Sequence, residues 1–351
     1  MSTYLDRLSI LSANAAQARS PGGARKVAVL GAGAWGTALA IALARRGLDV
    51  SLWAWRSAHA DAMSEAGENS ERLPGCAFPQ NLGATASMRD AVEKADVVLL
   101  AAPSSATEAL AQEAAKYARP GAAALICAKG LAEDGGLLSR RVEAAWKLGP
   151  TLVLSGPSFA DEVAMDLPTI VTLAGPHAGA LAAHLSSPNF VVCPSDDIIG
   201  AQIAGVFKNV AAILCGAADG LGCGANARAA LMSEAMREAG ALVEALGGEA
   251  ETLLGPAGFG DFALTCTDEK SRNYSLGKRL AAKQGGQQGG KTQEGAANVN
   301  ALVALAEAAK ADAPLAAAVA DLVAGRIDAR EAVEAAFSQR HKSAKAQAHA
   351  A

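Results

Sequence analysis

Up to about residue 195 the apolar positions come in short, β-branched runs, each followed by a stretch with helical spacing; beyond it only the helical spacing remains. The runs Lys26-Val-Ala-Val-Leu30, Asp49-Val-Ser-Leu-Trp53, Ala95-Asp-Val-Val-Leu-Leu-Ala-Ala-Pro103, Ala122 to Ala128, Leu152-Val-Leu-Ser155, Thr169 to Leu173 and Phe190 to Cys193 each predict a strand. Near-continuous apolar strands alternating with helices predict a parallel sheet covered on both faces. Residues 58–90 predict helix and loop, because Leu73-Pro-Gly75 and Phe78-Pro79 interrupt the pattern. Ser195-Asp196-Asp197 can cap a helix, and Ile198 to about Ala218, Ala227 to Leu246, Ala296 to Ala309, Pro314 to Ala324 and Ala329 to Phe337 follow at helical spacing. The expected division is a flexible extension over 1–24, an α/β domain over 25–195, an all-helical domain over 196–338 and a flexible tail over 339–351.

The first strand runs into Gly31-Ala-Gly-Ala-Trp-Gly36, and Leu39, Ala40, Leu43 and Ala44 follow at helical spacing. Strand, glycine turn and helix in this order predict a Rossmann-type doubly wound sheet that binds a dinucleotide. Gly31 makes the turn, Gly33 lets backbone approach a pyrophosphate, Gly36 lets helix and strand pack closely, and the helix N-terminus faces the phosphates. In NAD-selective sites an acidic residue commonly ends the second strand and binds the adenosine ribose 2′-hydroxyl. Here Ala54-Trp55-Arg56 stands there; the Arg56 guanidinium suits a 2′-phosphate, which favours NADP(H) over NAD(H), the alternative being a solvated surface arginine.

Composition narrows the class further. A formal net charge of −4 gives no general attraction for nucleic acid or anionic membrane, so any anion must be recognised locally. Six scattered cysteines without CxxC pairs point to neither a zinc site nor a disulfide framework, and no metal is expected. The apolar runs are too short for a membrane span, and no apolar leader precedes a cleavage site, so a cytoplasmic protein without membrane insertion is expected. An amphipathic targeting peptide is the alternative reading of residues 1–24. The Ala- and Gly-rich helices of the second half could pack as a dimer interface as readily as an interdomain one; a homodimer is the expectation.

Several polar groups interrupt apolar surroundings. Lys129-Gly130 follows a strand directly, either as a ligand contact at its carboxyl end or as an exit turn. Ser155, Gly156 and Ser158 form a small polar turn after another strand. Phe207-Lys208-Asn209 places a lysine and an amide on an otherwise apolar helix, which is costly unless they line a cleft or find partners. Gly260-Asp261 predicts a helix start. Ser271-Arg272-Asn273 offers a hydroxyl, a guanidinium and an amide, suited to a phosphate but also common in a solvated turn.

Taken in order, Gly31-Ala-Gly-Ala-Trp-Gly36, Cys127-Ala-Lys-Gly130, Ser155-Gly-Pro-Ser-Phe-Ala160, Val206-Phe-Lys-Asn-Val210, Gly260-Asp-Phe-Ala-Leu-Thr-Cys266, Ser271-Arg-Asn-Tyr-Ser-Leu-Gly277 and Glu294-Gly295 resemble the bacterial NAD(P)-dependent glycerol-3-phosphate dehydrogenases over about residues 26–335. The resemblance implies a Rossmann domain followed by a helical substrate domain. It implies Lys208 as proton acceptor, and substrate contacts from Lys129, Gly156, Ser158, Asn209, Asp261, Ser271, Arg272 and Asn273. Cofactor contacts are implied for Gly31, Gly33, Ala34, Trp35, Gly36, Arg56, Lys129, Ala160, Arg272 and Glu294. One departure stands out: Trp55 replaces the first of two arginines that the family often carries, leaving Arg56.

The implied reaction oxidises the C2 alcohol of glycerol 3-phosphate to dihydroxyacetone phosphate, in support of phospholipid synthesis, and needs a base for the hydroxyl proton. His59, His177, His184, His341 and His349 are not convincing candidates. A lysine serves if burial or a neighbouring cation brings its pKa down from about 10.4, and Lys129 could be that neighbour. Two rivals share the scaffold: a reductase of another hydroxy acid, which would need different polar strings after residue 200, and a non-catalytic nucleotide sensor, which would not need the lysines.

Overall fold

The computed structural model describes residues 26–283 and 294–338; the expected extension over 1–24 and tail over 339–351 lie outside the described residues. The chain begins β1 (Lys26–Leu30), α1 (Ala34–Arg45), β2 (Asp49–Trp53), α2 (Ser57–Ala66), β3 (Glu68–Asn69), β4 (Leu73–Ala77), β5 (Leu82–Thr85), α3 (Met88–Val92) and β6 (Val97–Leu100). It continues α4 (Ser104–Ala115), β7 (Ala123–Ile126), α5 (Leu138–Trp146), β8 (Thr151–Ser155), α6 (Ala160–Ala164), β9 (Thr169–Ala174), α7 (Ala178–Leu185) and β10 (Phe190–Ser195). Eight of these strands make one sheet, in the order β10-β9-β8-β7-β6-β1-β2-β5.

Every β6 and β7 residue and all of β1 except Lys26 are buried, as a doubly covered sheet requires. Neighbouring strands run parallel except β8 and β9, where Val153 faces Ala174 in antiparallel register. The intervening chain carries only the five-residue α6, and it returns beside β8 in the opposite direction.

Three strands depart from the helix-and-loop expectation for residues 58–90. β5 extends the sheet beyond β2, with Leu52 opposite Ala84, and β3 and β4 form a separate antiparallel pair. Pro74 and Gly75 inside β4 are tolerable because this strand has one partner and needs no second row of backbone donors.

The described residues after β10 contribute helices and no further strand: α8 (Ile198–Gly220), α9 (Gly224–Ala245), α10 (Asp261–Thr267), α11 (Arg272–Ala281), α12 (Glu294–Ala308), α13 (Pro314–Val323) and a last helix over 329–338. Residues Gly200 through Ala218 of α8 are all buried, so it is apolar on every side because neighbours surround it. It is long and apolar enough to cross a membrane by composition, yet 89% of its most apolar window is buried within the protein. Phe207, Ile213 and Leu214 anchor the cluster around it, each such side chain contributing roughly 1.5–3 kcal/mol on burial.

Contacts divide the described residues into two compact units: one up to Ala128 with Ser139–Ile198, the other made of Lys129–Leu138 and the described residues from Ile199 onward. The excursion Lys129–Leu138 has no counterpart in the sequence division at 195 and 196. Its cause is visible at Leu131, whose amide donates to Asn298 Oδ1 at 2.8 Å and whose side chain joins the helical core.

Candidate active site

Backbone-to-backbone packing positions the polar residues of the helical unit. A Cβ on Gly277 of α11 would stand 1.9 Å from the Ile213 carbonyl of α8, and one on Gly216 would stand 2.0 Å from the Tyr274 carbonyl. Only hydrogen at these positions allows so close a crossing. It carries the start of α11 to Asn209, whose Oδ1 accepts from Asn273 Nδ2 at 2.9 Å. Asn273 Oδ1 in turn accepts the Gly295 amide at 3.1 Å, while Asn209 Nδ2 donates to the carbonyls of Lys129 and Gly205, each at 3.3 Å. The two amides are thus committed to joining α8, α11, α12 and the Lys129 backbone, and they position the site.

At its centre Asp261 holds two ammonium groups. A single π-helical turn, Pro256–Gly260, leads into α10, and Asp261 is the first residue of that helix, where the helix dipole favours a carboxylate. Lys208 Nζ donates to Asp261 Oδ1 at 3.0 Å and to Thr265 Oγ1 at 2.8 Å; Lys129 Nζ donates to Asp261 Oδ2 at 2.7 Å. Asp261 is 1% exposed and Lys208 7%. Burial pushes the Lys208 ammonium below the ordinary lysine range; Asp261 pulls it back up, and Lys129 depresses it further. Burial alone would raise the Asp261 carboxyl, but Lys129 and Lys208 outweigh it and hold the pKa below its usual value. Two cations sharing one carboxylate leave an excess positive charge that suits an anionic ligand or the loss of one lysine proton.

Around this cluster stand Ser271, whose Oγ caps α11 by accepting the Tyr274 amide at 3.3 Å, and the exposed Arg272 at the first helical position. Glu294 begins α12; burial raises its carboxyl, against the opposing pull of Lys208, Arg272 and Lys129. Lys129, Lys208, Asn209, Asp261, Ser271, Arg272, Asn273 and Glu294 therefore all belong to the helical unit. The lysine-bearing cluster includes Thr265, which the sequence reading missed; it lies one turn after Asp261 on the same helix face, the spacing that could have revealed it.

The remaining candidates belong to the α/β unit. A Cβ on Gly31, where φ is +123°, would meet the Ala101 carbonyl at 2.6 Å, and one on Gly36 would meet the Gly31 carbonyl at 2.0 Å. Gly33, by contrast, opens onto space, and no side chain caps α1 there. Trp35 carries a buried Nε1 that has no hydrogen-bond partner among the described residues. An unobstructed backbone turn, an uncapped helix N-terminus and an orphaned donor fit a dinucleotide, which Gly31, Gly33, Ala34, Trp35 and Gly36 would hold. Arg56 follows β2 and donates through Nη2 to both carboxylate oxygens of Glu71, at 2.7 and 2.8 Å. Gly156, Ser158 and Ala160 stand just beyond β8, with Ser158 Oγ donating to the Gly156 carbonyl at 2.9 Å. The Ser155 hydroxyl beside them is buried and has no partner among the described residues.

Residues 26–180 match the model of the NAD-dependent glycerol-3-phosphate dehydrogenase N-terminus, and residues 197–334 match that of its C-terminus. The chain belongs to this family. Within the glycerol-3-phosphate dehydrogenase family, it is 42% identical over 320 residues to the glycerol-3-phosphate dehydrogenase [NAD(P)+] of Halorhodospira halophila, covering 88% of this chain and 96% of that protein. It is 40% identical over 321 residues to the protein of the same name from Rhodospirillum rubrum, covering 89% and 92%. The crystal structure of glycerol-3-phosphate dehydrogenase from Coxiella burnetii aligns at a TM-score of 0.81 and 38% identity, covering 89% of this chain and 98% of that one. The family matches span both units, in keeping with the ordered resemblance in the sequence.

Proposed function

We propose that this chain interconverts dihydroxyacetone phosphate and sn-glycerol 3-phosphate with NAD(P)H. The observation that carries the reading is the buried Asp261 clasped by Lys208 and Lys129. In the oxidative direction, the neutral Lys208 amine takes the C2 hydroxyl proton. Bound NAD(P)+ supplies the hydride acceptor. In reduction the Lys208 ammonium returns the proton to the carbonyl oxygen. Lys129 keeps Lys208 easy to deprotonate and adds positive charge for the substrate. Asp261 and Thr265 fix the direction of the Lys208 amine.

Arg272 and the start of α11 serve the substrate phosphate, with the Ser271 hydroxyl beside them; a guanidinium next to a helix N-terminus suits that dianion. Asn209 and Asn273 hold this region in place. Gly156 and Ser158 serve the substrate from beyond β8, and Ala160 the cofactor. On the cofactor side Arg56 faces the adenosine 2′-phosphate, so NADP(H) is favoured over NAD(H). The reading also takes the protein to be a cytoplasmic homodimer whose glycerol 3-phosphate feeds phospholipid synthesis. Oxidation of NADPH and of NADH by the purified protein, followed separately with dihydroxyacetone phosphate, tests it. Turnover with both and a preference for NADPH is expected; oxidation of neither would remove the assignment.

A further inference from the structure

The end of β2 carries one arginine, and Trp55 beside it is 76% exposed. The fold brings a second arginine to the same place from elsewhere. Asn69, fully buried in β3, donates to the Ala32 carbonyl at 3.0 Å and to Thr37 Oγ1 at 2.8 Å, which ties its strand to the glycine turn and to α1. Its Oδ1 faces His59 Nε2 at 3.0 Å and accepts the Arg72 amide at 3.2 Å. The turn after Asn69 is therefore fixed against the cofactor-binding turn, and it presents Glu71 and Arg72. Glu71 accepts from Arg56 at 2.7 Å and from Arg72 at 2.9 Å, and His59 Nε2 lies 3.9 Å from it.

This arrangement supplies an acidic side chain where the sequence showed none after β2. We propose that Glu71 sets the cofactor preference of this chain: it accepts the ribose 2′-hydroxyl of NAD(H), and it competes with the 2′-phosphate of NADP(H) for Arg56 and Arg72. The proposal rests on the reading of Arg56 as the 2′-phosphate residue. The side chains are about half exposed, at 41% for Arg56, 45% for Glu71 and 49% for Arg72. An ion pair so open to water is weak, and a phosphate dianion offering more acceptor oxygens can displace the carboxylate. With NAD(H) no such competitor arrives, and Glu71 stays oriented by its two guanidiniums as the acceptor that a ribose hydroxyl needs. The chain thus takes both dinucleotides, with the preference for NADP(H) narrowed by Glu71.

Calorimetric titration of the full chain with NADPH and with NADH tests this without reference to turnover. Glu71→Ala is expected to bind NADPH about fivefold more tightly and NADH several-fold more weakly, the scale of one exposed charge contact. Arg56→Ala is expected to lose NADPH affinity while retaining NADH. An unchanged ratio of the two dissociation constants in Glu71→Ala would overturn the role of Glu71. If Arg56→Ala still weakened NADPH alone, the 2′-phosphate reading would stand without it. Failure of the parent protein to bind either dinucleotide would overturn both.

Discussion

Lys208 is a lysine buried on an apolar helix, and the surrounding charges decide what it can do. Asp261 prevents it from being an isolated buried cation, while Lys129 prevents Asp261 from neutralising it fully. Removing Lys129 leaves Asp261 to Lys208 alone, so the Lys208 pKa rises, and the alkaline rise in the oxidation rate of Lys129→Ala is expected to move to higher pH than in the parent. A pH–rate profile checks the direction; a shift to lower pH would contradict it. Asp261→Asn leaves the buried Lys208 ammonium and the partly buried Lys129 ammonium without their shared counter-ion, and a loss of about 3 kcal/mol in unfolding free energy is expected by denaturant titration. The lysines and the aspartate were each legible in the sequence as polar interruptions. Their meeting on one carboxylate was not, because Lys129, Lys208 and Asp261 lie on three distant segments that only the fold joins.

At the scale of elements, the crossing of α8 and α11 is the joint that holds Asn209 against Asn273. Gly277→Ala puts a methyl 1.9 Å from the Ile213 carbonyl, so α11 must move; a lowered melting temperature, about 2 kcal/mol or more of lost stability, and reduced turnover are expected together. Gly179→Ala is the contrast. That residue lies in α7 with open space where a Cβ would stand, so the change is expected to stabilise by roughly 0.5–1 kcal/mol and leave turnover alone. Equal melting temperatures for the two variants would contradict the packing argument. The central strands were legible because their apolar runs are uninterrupted. β5 was not, since Leu-Gly-Ala-Thr is short and glycine-containing, nor was the β3 and β4 pair, whose Pro-Gly breaks the run. That missed pair carries Glu71 and Arg72 to the cofactor turn, so a hidden strand concealed a pair of candidate functional residues.

For the whole molecule, stability at different pH depends on Glu238 of α9. Its carboxylate is buried and accepts the Leu315 amide at 2.8 and 3.1 Å and the Ala316 amide at 3.4 Å, capping α13. Burial pushes its pKa up to about 7, against the opposing pull of those amides. The folded protein therefore holds this proton more tightly than the unfolded chain. The contribution is fully present below the ordinary carboxyl value and is lost as pH rises through about 7. Glu238→Gln keeps an acceptor for α13 without the charge, so its stability relative to the parent is expected to improve between pH 5 and 8 by on the order of 1–3 kcal/mol. Denaturant titrations at the two pH values check this; a constant difference would contradict it.

The proposed chemistry turns on one amine, so Lys208→Ala tests the account most directly. Turnover of dihydroxyacetone phosphate with NADPH should fall about a thousandfold or more, while NADPH binding, read by calorimetry, stays within a few-fold of the parent. Turnover near the parent level in a variant that still binds NADPH would contradict the account.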